Sequence, residues 1–134
     1  MTTTNVKALV SYRLEQAQES LDAAQVLMDQ ELPRPSVNRS YYAMFYAVLA
    51  LLASRKWETS RHSGAISLFD TKFVKTGVFG KELSRWLHDA FDLRQRSDYA
   101  AQIQVSHEEA MQVLEESKEF VAEVKGKLIE EGLQ

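Results

Sequence analysis

The chain of 134 residues contains no cysteine. That excludes disulfides, thiolate metal sites and cysteine nucleophiles, and it fits a reducing compartment. Proline occurs only twice and glycine five times. No low-complexity tract, linker or internal repeat interrupts the chain, and neither a Gly-rich phosphate loop nor a Gly-x-Ser-x-Gly elbow is present. Long apolar runs are also missing: the richest, Tyr41 to Ala53, is too short to span a bilayer. The N-terminal segment MTTTNVKALVSYRLEQ has no long apolar core and meets charge early, so no signal peptide is expected and a cytoplasmic location is. Neither sign of charge dominates, with 16 basic and 19 acidic residues. The net charge of -3 gives no global attraction to nucleic acid, but it leaves room for a local basic site.

What remains is an ordinary globular composition, with 45% apolar and 26% charged residues, over the length of one domain, 1–134. Five helical segments can be read by phase, and no alternating strand pattern competes with them. The first, from about Asn5 to Gln30, places Val10, Leu14, Ala17, Leu21, Ala24 and Met28 on one stripe. Pro33 and Pro35 end it and set up the second, about Ser36 to Ser54. That helix carries two apolar stripes, so it is expected to be the most buried. The third, roughly His62 to Thr76, has Thr59 or Ser60 as candidate caps and Gly77 as its stop. The fourth runs from about Lys81 to Ser97, with Leu83, Trp86, Leu87, Ala90 and Phe91 as its stripe. Ser106-His107-Glu108-Glu109 reads as a capping box that opens the fifth.

Within the fourth helix, Arg94 falls in the middle of the apolar stripe, whereas Arg85 and Arg96 fall on the opposite, solvated side. An unpaired buried charge costs several kcal/mol, so Arg94 needs a partner, and Asp98 at i+4 is the nearest. Two readings stand open. The pair is a structural tie, or the guanidinium forms the floor of a groove and holds phosphate with its planar donor fork. Arg39 opens the second helix beside Ser40-Tyr41-Tyr42; its spacing suggests a surface position. Tyr41, Tyr42 and Tyr46 read as core or rim aromatics with one wet end, although a ring there can also stack on a base. His62, His88 and His107 sit on different helices with no second ligand at i+3 or i+4, so neither a metal site nor a cofactor is expected. Asp70, Asp89, Asp92 and the Glu-rich fifth helix look like solvated faces.

Four stretches occur in succession: RSYYAMFYA from Arg39, HSGAISLF from His62, FVKTG from Phe73 and LRQRSDY from Leu93. This succession resembles the HEPN domain family, in particular its small standalone prokaryotic members, and the similarity covers nearly the whole chain. The resemblance implies an all-α, up-and-down bundle of four to five helices that dimerises. It implies a toxin–antitoxin setting with a minimal nucleotidyltransferase partner. It also implies that active members are metal-independent endoribonucleases, with an arginine on the fourth helix and a histidine shortly after it. Arg94 matches that arginine. The histidine is absent: Tyr99 stands five residues after Arg94, and the next histidine is His107.

A free phenol has a pKa of about 10, so Tyr99 is a poor base at neutral pH. The expected site therefore places Arg94, Asp98 and Tyr99 at its chemical centre and Arg39, Tyr42, His62 and Arg96 as ligand-binding groups. Some family members carry a tyrosine to which the partner transfers a nucleotide, and Tyr99 is the candidate here. Three functions follow from these residues: a nucleotide- or RNA-binding partner of a nucleotidyltransferase, a ribonuclease toxin, or a structural dimerisation module.

Overall fold

The computed structural model describes residues 3–59, 61–99 and 104–134, with the backbone alone at 3, 4 and 99. Five α-helices and one π-helical turn make up the described residues, and no strand occurs among them. In chain order they are α1 (Thr3–Asp29), α2 (Pro33–Ser54), α3 (His62–Phe69), the π-turn (Asp70–Val74), α4 (Lys81–Tyr99) and α5 (His107–Glu130).

The α1 stripe is buried as its phase requires: Val10, Leu14, Ala17, Leu21, Ala24 and Met28 are all inside. The helix ends through Glu31, which adopts a positive φ of 58° while its N–H bonds the Met28 carbonyl. The second helix begins earlier than the prolines suggest, at Pro33 itself. Both prolines lie in its first turn, where backbone N–H groups have no intrahelical acceptor anyway. No side chain caps α3. Thr59 Oγ1 instead accepts from the Arg61 backbone N–H at 3.3 Å, and Ser60 lies outside the described residues. Past α3, the Lys75 N–H reaches the Asp70 carbonyl five residues back, at 2.9 Å. That step interrupts the expected continuous helix. Gly77, with φ of +84°, closes the turn. The capping box on α5 forms: Ser106 Oγ accepts from the Glu109 N–H at 3.0 Å, and the Glu109 carboxylate accepts from the Ser106 N–H at 3.1 Å.

Helix α2 is the hub. It packs against α1, α3, α4 and α5 alike, and Val37, Tyr41, Met44, Val48 and Leu51 along it are fully buried. Its apolar girth is therefore satisfied within one chain and does not by itself call for a second copy. Small residues allow the close approach: Ser36 Oγ donates to the Ala24 carbonyl on α1, and Ser117 Oγ on α5 donates to the Ser40 carbonyl. A cluster of Phe69, Phe73, Phe79 and Phe120 ties α3, the turn after it and α5 together. At about 2–3 kcal/mol for each fully buried large side chain, this core dominates the stability of the bundle. No described helix is long and apolar enough to cross a membrane.

Candidate functional site

The site lies where α2, α3 and α4 meet. Arg94 is buried as its helical phase requires, with its side chain only 20% exposed. The guanidinium rests on aromatic rings, with its carbon 5.6 Å from the Tyr41 ring centre and 5.2 Å from that of Tyr42. Such contacts spread a cation's field over ring faces and reduce the cost of burial. Nε stands 3.3 Å from Asp98 Oδ2. The alignment falls short of a hydrogen bond, because Nε is buried without a hydrogen-bond partner. Among the described residues Arg94 has the Asp98 ion pair and no side-chain hydrogen bond.

Arg39 is not the free surface group that its spacing suggests. It is half-buried, its guanidinium carbon lies 4.8 Å from the Tyr42 ring centre, and Nη2 donates to Asn38 Oδ1 at 3.2 Å. Two guanidiniums therefore share one tyrosine ring, on a chain whose net charge is negative. Beyond Arg39 lies a small polar groove of about 280 Å³ lined by Gln16, Glu19, Ser20, Arg39 and Tyr46.

His62, at the first position of α3, enters the same site. Its Nδ1 is 2.7 Å from Tyr41 Oη, and its ring stacks on Phe45 at 4.1 Å with 12° between the planes. Tyr42 meets it edge-on at 5.7 Å. Burial, and then the neighbouring Arg94 charge, hold the imidazole below the usual histidine range. Burial pushes the Tyr41 phenol well above its ordinary value, with Arg94 pulling the other way. At neutral pH the site thus holds two fixed cations, a neutral imidazole and an un-ionised phenol.

Of the residues expected from sequence, Arg94, Asp98, Arg39, Tyr42 and His62 come together. Arg96 does not. It is exposed and faces a different groove, among Asp89, Asp92, Glu109 and Glu116. Tyr99 closes α4, but its side chain lies outside the described residues, as do residues 100–103 of the connector. Tyr41, read from sequence as a core or rim aromatic, and Phe45 also join this cluster through His62, and their i, i+4 spacing on α2 is the sequence signal that groups them.

Asp70 is a correction. Instead of being solvated, it is half-buried and accepts from Ser84 Oγ at 2.7 Å and pairs with His88 Nε2 at 2.6 Å. It continues the α3 face that carries Ser63, Ile66 and Ser67, and α4 packs against that face. Asp70 and His88 line an open groove of about 520 Å³ whose wall also includes Ser63 and Phe91. Phe91 in turn touches Tyr41, at 5.6 Å, so this groove opens beside the Arg94 site. A groove of about 680 Å³ between α1, α2 and the segment carrying Trp57 contains neither Arg94 nor His62.

An all-helical bundle with a buried arginine on its fourth helix is the architecture that the family resemblance implied, and direct comparison agrees. The HEPN domain model matches residues 10–127. A Methanocaldococcus jannaschii protein named "Putative toxin MJ0142" is 35% identical over 120 residues, covering 90% of this chain and 82% of that one. A second protein from the same organism, "Putative toxin MJ0605", is 31% identical over 126 residues, covering 94% and 93%. A Thermotoga maritima protein named only as a UPF0332 protein is 35% identical over 123 residues, covering 92% of each. The chain belongs to the HEPN domain family.

Proposed function

We propose that this chain is the HEPN member of a toxin–antitoxin type pair, binding the phosphate of a nucleotide or RNA through Arg94 and working with a minimal nucleotidyltransferase partner. The toxin names of two relatives support the setting. The observation that carries the ligand class is Arg94 itself: a guanidinium seated on two tyrosine rings, with no hydrogen bond to any described residue. A planar donor fork suits phosphate oxygens. Arg39 on the other flank of the Tyr42 contact offers a second cation for a neighbouring phosphate, and Tyr42 offers a ring for a base. In this reading the chain is a single cytoplasmic domain that acts as a homodimer, which brings two copies of the Arg94 region to one groove.

The second reading, a ribonuclease toxin, gains from one observation: an imidazole does stand beside Arg94, although it comes from α3. The test uses a fluorescently labelled, single-stranded hexa-adenylate RNA. Anisotropy should rise with protein and fall back as salt increases, because phosphate neutralisation releases counterions. Gel analysis of the same mixture reports cleavage. No anisotropy change at 50 mM salt and micromolar protein refutes the RNA-binding reading.

A further inference from the structure

Aromatic groups of α2 fix a single imidazole on α3. The Phe45 ring covers one face of His62, Tyr42 abuts it edge-on, and Tyr41 Oη holds Nδ1. A ring held by its face and by one nitrogen has little freedom to turn, so its other nitrogen has a fixed direction. That nitrogen, Nε2, makes no hydrogen bond to any described residue, and it is not among the buried unpaired polar atoms. The ring as a whole is half-buried.

The proton assignment follows from Tyr41. Its side chain is fully buried, and a buried hydroxyl without an acceptor is costly. The phenol keeps its proton, since burial raises its pKa, and Nδ1 of His62 is the acceptor it meets. Tyr41 donates, Nδ1 accepts, and the ring hydrogen of the neutral imidazole sits on Nε2. The charged groups around the ring reinforce this state. From α4 comes the Arg94 guanidinium, paired with Asp98; from α2 come the un-ionised Tyr41 phenol, the Tyr42 ring and, against that ring, the Arg39 guanidinium.

We propose that the imidazole of this site is supplied by α3 instead of the end of α4, and that His62 acts as a hydrogen-bond donor. Its Nε2–H and the Arg94 guanidinium together bind one phosphodiester of single-stranded RNA, with the Tyr41 phenol fixing the tautomer. The inference rests on the reading that Arg94 binds phosphate and adds the second binding group. It also has a chemical consequence. A nitrogen that carries a hydrogen has no lone pair with which to take the proton of a ribose 2′-hydroxyl, so the pair binds and orients RNA without starting its cleavage.

Two measurements test it. Nitrogen-15 NMR of the free wild-type protein at pH 7 reads the His62 tautomer without any ligand. The Nε2–H form is expected, and an Nδ1–H form or a charged ring overturns the proposal. Anisotropy with hexa-adenylate RNA then compares variants whose melting curves confirm folding. His62→Ala should bind about tenfold more weakly, the loss of one hydrogen bond to a charged group. His62→Gln keeps a donor near the Nε2 position and should stay within about threefold of wild type. If His62→Ala binds as well as wild type while Arg94→Ala does not, the His62 role fails and the Arg94 reading stands. If wild type cleaves the RNA and His62→Gln binds without cleaving, His62 is a base and the donor role is overturned. A wild-type protein that does not bind the RNA overturns both.

Discussion

Replacing Arg94 with alanine separates a binding role from a structural one, because the surroundings of the guanidinium limit what the fold can lose. Asp98 is 35% exposed at its side chain, so it remains hydrated when Arg94 is removed. The exposed i,i+4 pair contributes only about 0.5 kcal/mol. The two ring contacts contribute about 1 kcal/mol together at a partly solvated site. Removing the unpaired, buried Nε returns part of that, since an unsatisfied donor costs about 1–3 kcal/mol. The net loss should be about 1 kcal/mol, or a fall in Tm of roughly 3–5 °C for a domain of this size.

Phosphate binding should suffer far more. Charge-assisted bonds to an anion are each worth about 1.5–3 kcal/mol, so affinity should drop at least about tenfold. Thermal melting and RNA anisotropy on one preparation give both numbers. A stability loss of about 3–5 kcal/mol, the signature of a stranded buried charge, together with unchanged RNA affinity, would refute the reasoning and leave Arg94 as a structural tie.

Two further outcomes follow from the same geometry. Burial and Arg94 depress the His62 pKa in the folded state, so below the ordinary histidine value of about 6.5 the unfolded chain binds the proton more readily. Stability conferred by the neutral ring is complete above that value and is lost as pH falls toward the folded-state pKa. Melting temperatures between pH 7.5 and 5.5 should fall more steeply for wild type than for His62→Gln, and equal slopes would contradict the assignment. Ser106→Ala removes half of the α5 capping box and should cost about 1 kcal/mol in urea unfolding, with RNA affinity unchanged because the box's bonds join Ser106 and Glu109 and do not involve Arg94.

Most of the helical framework was legible because periodicity reports which residues must be buried, and burial decides packing. Arg94 could be singled out for the same reason: a charge in phase with Leu87, Ala90 and Phe91 has to be explained, and Asp98 lay one turn on. Contacts between helices carry no such local trace. Arg39 was misjudged because only the arrival of Tyr42 beside it gives it a ring to rest on. The pairing of Asp70 with Ser84 and His88 depends on α4 arriving beside α3, which the phase of α3 alone does not record. His62 was named as a ligand group, yet its partners Tyr41 and Phe45 looked like ordinary core. Their role appears only when α3 packs on α2.

The most direct test of the central claim is an NMR titration of the wild-type protein with the dinucleotide ApA, whose phosphodiester keeps one charge across the working pH range. If Arg94 holds the phosphate, the Arg94 Nε–H signal should shift first and most, followed by the His62 ring and the Tyr42 ring, and Arg94→Ala should erase all three responses. Saturable shifts centred on the exposed Arg96 groove or around Trp57, with Arg94 Nε–H unmoved, would contradict the account.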